Sequence, residues 1–215
     1  MMPPYCPESA PPGEHLVYVT LQRSDDAEDW IVLHSLAIAD HFRQVEGEAD
    51  FVIVVPNAGV VVIEVKSHYT VDRLPDGRWK LGSNPPVARG PFQQVREALH
   101  SIRDFLKKKG VDLRGVPMVS AVWFTLVRAR TMLPATPEWH DWQVLDSEDL
   151  KHGTASAVLR TLAAGTKHLD RKIQYFSYGG TGPAPDTTER IVSLLRPRFE
   201  VARAAATRAA PGNRR

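Results

Sequence analysis

The sequence predicts an α/β domain whose central β-sheet is covered by helices on both faces. Three observations carry that expectation. Residues 51–55 and 60–65 are nearly continuous apolar runs of strand length, and they bracket the turn signal Pro56-Asn57-Ala58-Gly59. Strands apolar at almost every position are buried on both faces, so this hairpin belongs inside a sheet. Phe92, Val95, Leu99, Ile102 and Leu106 recur at helical spacing and give a helix one apolar face with which to cover it.

The elements follow in order. Residues 1–12 are Pro-rich and read as a loose or disordered N-terminus. Leu16, Val17, Val19 and Leu21 fit either a helix or a strand, and the segment from Glu14 to Gln22 is assigned a short helix. Trp30 to Leu36 reads as a strand. After the central hairpin, Tyr69–Arg73 and the surroundings of Trp79 are weaker strands joined by Asp76-Gly77. The helix beginning at Pro91 has lysines 107–109 at its negative end and Gly110 to terminate it. Pro117–Val127 is a strand, 128–140 a loop, Trp142–Leu145 a short strand and Ala155–Leu162 a helix. Gly179 to Pro183 is a flexible break. Asp186 with Glu189 three residues on has the pattern of a capping box, opening a helix to about Ala205. Residues 206–215 read as a disordered tail.

A chain of 215 residues suits one domain with some tail and needs no disulfide staple. Cys6 is the one cysteine, so no internal disulfide forms, which fits a reducing compartment. There is no signal-peptide pattern and no run of about 18 apolar residues, so the expectation is a cytoplasmic protein without a membrane span. Net charge is only +2, low for a free-standing DNA binder. Positive charge is local, in lysines 107–109 and in Arg196, Arg198, Arg203, Arg208, Arg214 and Arg215. Such a tail can touch nucleic acid or simply be solvated.

The chemistry gathers at one end of the hairpin. Positions symmetric about its turn, centred near 57–58, lie opposite one another, so Asp50 falls across from Glu64–Val65. Directly opposed side chains have Cβ atoms roughly 5 Å apart. Glu64 and Lys66 share a strand face, while Val65 points the other way. Two carboxylates this close resist joint ionisation, and a divalent cation relieves them. Oxygen ligands of this kind suit Mg²⁺ or Mn²⁺, which can activate a water and stabilise a leaving oxygen. Lys66 can orient the attacking water or neutralise the phosphorus centre. That is the equipment for phosphodiester hydrolysis. An acidic-x-Lys triplet alone arises by chance, and a salt-bridged strand end explains it as well. The addition of Asp50 and of a tight hairpin between core-like strands gives it weight.

Gly47-Glu48-Ala49-Asp50-Phe51-Val52, Pro56 to Gly59, and Val62-Ile63-Glu64-Val65-Lys66-Ser67 together resemble the nuclease-related domain of the PD-(D/E)xK nuclease superfamily. Gly13-Glu14, Gly77-Arg78-Trp79 and Pro91-Phe92-Gln93-Gln94 fit the same family in order and spacing. Ala49 stands where the superfamily name has proline. The resemblance covers roughly residues 13–150. It implies a restriction-endonuclease-like α/β/α fold with a central mixed sheet, in a nuclease-like domain over 13–178 followed by a break, helix and basic tail over 179–215. It implies that Asp50 and Glu64 ligate the metal with the Val65 carbonyl as a third ligand, and that Lys66 is the catalytic lysine. Glu14 would be an auxiliary acid and Gln94 would face the site. A carboxylate favoured at a helix start, and a solvent-facing glutamine, are equal alternatives for those two.

The activity so implied is that of a divalent-metal-dependent deoxyribonuclease, with in-line attack by water and 5′-phosphate products. Nucleic acid is the expected partner, DNA before RNA, in processing, repair or defence. Family members are often joined to helicase, kinase or topoisomerase modules. This chain has no phosphate-binding P-loop, so a helicase-type partner or a fused module is compatible with it. A non-catalytic nucleic-acid-binding or docking module with the same fold is the rival reading, and an assembly subunit a third. His34, His41 and His68 fall on different elements, which argues against a zinc site. Trp123, Trp139 and Trp142 fit core or rim positions better than base stacking.

Overall fold

The computed structural model describes residues 1, 6–38, 47–172 and 182–196. The first helix, α1, spans Pro12–Gln22, with proline in its first turn and Val17, Tyr18 and Leu21 on its buried side. Strand β1 (Ile31–Ile38) leads to β2 (Gly47–Val55) and β3 (Gly59–Lys66), the central hairpin. A small pair follows, β4 (Val71–Arg73) and β5 (Trp79–Leu81), and then α2 (Pro91–Lys108). Strand β6 (Met118–Phe124), the short helix α3 (Ala129–Met132) and β7 (Val144–Leu145) come next. Helices α4 (Ser147–His152), α5 (Thr154–Lys172) and α6 (Pro185–Leu195) complete the described chain.

The main sheet has five strands in the order β1-β2-β3-β6-β7. Strands β1, β2 and β3 pair antiparallel, whereas β6 and β7 run parallel to β3, so the sheet is mixed as expected. A parallel step needs a long crossover, here supplied by β4, β5 and α2. One core lies between α2 and the sheet, where Val52, Val54, Val60 and Val62 meet Val95 and Ile102, and α6 adds Ile191. The other lies on the opposite face, where Phe51, Ile53, Val61 and Ile63 meet Val17 and Leu21 of α1 and Val158 and Leu162 of α5. The apolar hairpin is thus covered on both sides, which explains why its strands show almost no polar alternation. Among the described residues no helix is long and apolar enough to cross a membrane.

The hairpin turn follows from its residues. Pro56 occupies the first central position, and Asn57 has a φ of 57° in the second, closed by a 3.1 Å bond from the Ala58 N–H to the Val55 carbonyl. Gly59 has a φ of 152°, and a Cβ there would stand 2.6 Å from the Pro117 carbonyl oxygen. Gly59→Ala is therefore expected to destabilise the protein by about 2–3 kcal/mol, read as a lower urea midpoint at unchanged slope. An unchanged midpoint would contradict this account of the turn.

Several sequence expectations are corrected. Helix α4 falls in a stretch assigned no element, and α3 falls in the expected 128–140 loop. The strand expected at Trp142–Leu145 shortens to Val144–Leu145 behind a 3₁₀ turn over Asp141–Gln143. Helix α5 runs on to Lys172, past Leu162, because Gly165 is a packing position: a Cβ there would lie 2.5 Å from Val119 Cγ1 of β6. The N-cap of α6 is Ala184 rather than Asp186, since Pro185 takes the first helical position and Asp186 falls inside the first turn. Cys6, in the segment expected to be loose, packs against the α1-side core. The Gly179–Thr181 part of the expected break, the helix beyond Arg196, the arginines from 198 onward and His41 lie outside the described residues.

Candidate active site

Regular pairing of the hairpin ends at Phe51 with Ile63. One step further along that register sets Asp50 opposite Glu64, as the turn centre predicts. The next step would join Ala49 to Val65. Instead the Val65 N–H donates to Asp50 Oδ2 at 2.7 Å, so a side-chain carboxylate has replaced a main-chain acceptor. The N–H and C=O of one strand residue lie on the same edge, so the Val65 carbonyl is turned towards the Asp50 side as well.

Face alternation slips at the same level. Leu33 and Leu36 of β1 both join the α2-side core, and so do Ala49 and Val52 of β2. A period of two forbids that spacing in regular strands. The irregular residues are Ser35, with a φ of 50°, and Asp50, the position between the paired His34–Phe51 and Leu36–Ala49. Arg196 holds the kink by donating to the carbonyls of His34 and Ser35 at 3.0 and 3.2 Å. Arg196 is therefore a structural clamp rather than part of a free basic tail.

On β3, alternation from Val60 and Val62 puts Glu64 and Lys66 on the face covered by α2. The Lys66 ammonium pairs with Glu64 Oε1 at 2.5 Å. Glu14 reaches the same end of the sheet from the opposite layer. Gly13 permits the approach: a Cβ there would overlap Ser67 Oγ, at 1.5 Å, and crowd Thr125 Oγ1, at 2.8 Å. Those two hydroxyls bond each other at 2.7 Å and tie the ends of β3 and β6 together. Glu14 Oε2 pairs with His34 Nε2 at 2.8 Å. His34 is fully buried, its ring packed against Tyr18 and Phe51.

The charges are unevenly matched. Burial first, and the Glu64 carboxylate next, push the Asp50 carboxyl up to about 8, against the opposing pull of the Val65 N–H and Lys66. Burial also raises Glu14, with Glu48 and Glu64 adding to the push and His34 opposing it. Glu14, Glu48, Asp50 and Glu64 thus feel one another, with the Lys66 ammonium among them. Carboxyl groups set this close, with a carbonyl turned towards them, suit a hard divalent cation in place of the proton that burial favours on Asp50. Among the described residues no three His, Cys, Asp or Glu side chains form a ready-made metal cage.

Asp50, Glu64, Lys66 and Glu14 are therefore brought together. Gln94 stands in the first turns of α2, the helix that covers the face of Glu64 and Lys66. Its carboxamide oxygen is buried and makes no hydrogen bond, so no bond from that atom joins it to the other four. His34 carries a role that the sequence did not reveal, since its partner Glu14 is twenty residues away and only folding joins them. His68 lies beside Gly82 with its Nε2 3.3 Å from Asn84 Nδ2, which leaves it no part in a cluster with His34. Trp123 and Trp139 are core residues, and Trp142 stacks on His140. The motif residues Trp79 and Phe92, with Gly90 beside them, serve packing. Trp79 packs against Phe92, and a Cβ on Gly90 would stand 2.1 Å from the Trp79 indole nitrogen.

Among curated proteins and solved structures nothing matches the chain. A family model does match, that of the nuclease-related domain, over residues 11–125. The match is shorter at its C-terminal end than the 13–150 expected, but it takes in more than half of the chain and everything from α1 through β6, the elements that bring Glu14, Asp50, Glu64 and Lys66 to one end of the sheet. The chain belongs to the nuclease-related domain family.

Proposed function

We propose that the protein hydrolyses phosphodiester bonds of nucleic acid, DNA before RNA, with Mg²⁺ or Mn²⁺ held by Asp50 and Glu64. The observation that carries this reading is the opened end of the hairpin. There the buried Glu64 and partly buried Asp50 carboxyl groups share a field with one ammonium, and the Val65 carbonyl is turned towards them. Two carboxylates and a carbonyl are a partial ligand set, and Mg²⁺ characteristically completes such sets with water and substrate oxygens. When bound, the ion supplies activation of a water and stabilisation of the leaving oxygen. Lys66 would orient the attacking water and offset charge gathering on the phosphoryl oxygens. Asp50, anchored to the Val65 amide, fixes the ligand geometry, while Glu14, held by His34, supplies a third carboxylate at the rim.

The low net charge of +2 argues for weak unaided affinity for duplex DNA and so for a recruiting partner, for which a helicase-type module is the proposal. Incubation of the purified chain with single- and double-stranded DNA tests the function. Cleavage that requires Mg²⁺ or Mn²⁺ and stops with EDTA is the expected result. Cleavage that survives EDTA, or no cleavage of either substrate, would contradict it.

A further inference from the structure

We propose that the rim of this site is a platform for unstacked nucleobases, centred on Tyr69, so that the substrate enters as a single strand. The inference deepens the nuclease reading and rests on it for the position of the scissile phosphate.

The segment after Lys66 is pinned on both sides. The Lys66 carbonyl accepts from the Thr125 N–H at 3.1 Å, and Ser67 Oγ bonds Thr125 Oγ1 at 2.7 Å. The ring of His68 lies against Gly82, and the Thr70 carbonyl accepts from the Gly82 N–H at 2.9 Å. Between these anchors Tyr69 is held out with 82% of its surface exposed. A fixed segment that leaves an aromatic ring in water forgoes the burial that rings of this size normally contribute.

Tyr69 has apolar company. Leu126 is exposed two residues beyond Phe124, the register partner of Lys66 on β6. Six large apolar side chains are exposed among the described residues, and two of them, Tyr69 and Leu126, fall within two residues of the Ser67–Thr125 hydroxyl pair that joins the ends of β3 and β6. Scattered exposure is ordinary, but an exposed tyrosine and leucine on either side of that pair, at the edge of an acidic site, call for a ligand with apolar faces. Duplex DNA presents phosphates outward and hides its base faces in the stack. A single strand offers a π-face at every nucleotide, and stacking one on an aromatic ring is worth about 1–3 kcal/mol. A chain with little net positive charge gains more from such contacts than from phosphate neutralisation.

Fluorescence anisotropy of labelled oligonucleotides with the full chain in EDTA, where nothing is cut, tests the platform. Tyr69→Ala is expected to weaken oligothymidylate binding by about tenfold, with Tyr69→Trp retaining it and duplex affinity the same in all three proteins. An abasic oligonucleotide should bind the unaltered protein as weakly as oligothymidylate binds Tyr69→Ala. Oligouridylate alongside tells whether the bases arrive on DNA or RNA, and preference for either supports the platform. Unchanged oligothymidylate affinity in Tyr69→Ala, equal losses for single strand and duplex, or no single-strand binding at all would overturn it. In each of those cases metal-dependent cleavage would leave the nuclease reading standing. Tyr69-dependent binding without any cleavage would sink the nuclease reading and keep the platform.

Discussion

Asp50→Ala is expected to lower metal-dependent cleavage by about 10³-fold or more, and Lys66→Ala by about 10²–10³-fold. The two losses have different origins, and calorimetry separates them. Asp50 opposes Glu64 across the open hairpin, so its removal leaves one carboxylate where two were available to a cation. Charge stabilisation by a bound ion is worth several kcal/mol, and each 1.36 kcal/mol is tenfold in rate. Metal binding and cleavage should fall together. Lys66 adds positive charge next to Glu64 and is no ligand, so Lys66→Ala should bind the ion at least as well while cleaving far less. Metal binding lost in Lys66→Ala, or kept in Asp50→Ala, would contradict these assignments.

Asp50→Asn is expected to stabilise the metal-free protein at alkaline pH while destroying its activity. Burial and Glu64 push the Asp50 carboxyl up to about 8, from an unfolded value of about 3.8. A carboxyl raised on folding stabilises the folded state when protonated. That contribution is complete below the unfolded value and is lost as pH rises through about 8. Glu64 and Glu14 oppose the Asp50 charge, and only the Val65 N–H and Lys66 favour it. Between about pH 5 and pH 9 the melting temperature of the metal-free protein should fall by roughly 5–10 °C more than that of Asp50→Asn, an effect of a few kcal/mol. Mg²⁺ added at pH 9 should restore the wild type and leave the variant unmoved. Parallel pH profiles for the two proteins would remove the basis for a charged, frustrated site.

Much of this was legible in the sequence where periodicity or turn chemistry was strong. The hairpin was readable because Pro56 to Gly59 fixes the turn and every flanking position is apolar, and Asp50 opposite Glu64 followed by counting. Helix α2 was readable because its apolar face repeats over eighteen residues between Pro91 and Gly110. Helix α4 is only six residues long, too short for periodicity to show. Its real signal is the Asp146–Asp149 capping box, in which Asp146 accepts from the Glu148 N–H at 3.0 Å. The same pattern at Asp186 and Glu189 misled, because a proline at the first helical position moves the cap outward.

The site itself was half legible. Asp50, Glu64 and Lys66 are local to one hairpin. The arrival of Glu14, its pairing with His34 and the kink at Ser35 depend on layers meeting. Serine is no usual signal for a positive φ, and Gly13 shows its purpose only once Ser67 and Thr125 are beside it.

Calorimetric titration of Mn²⁺ at pH 7, in buffers of differing ionisation enthalpy, tests the central claim most directly. One ion should bind per chain and release about one proton, because the cation displaces the proton that Asp50 holds at that pH, and Asp50→Asn should bind none. Equal binding by wild type and Asp50→Asn, or no binding by the wild type, would show that these carboxylates are not a metal centre.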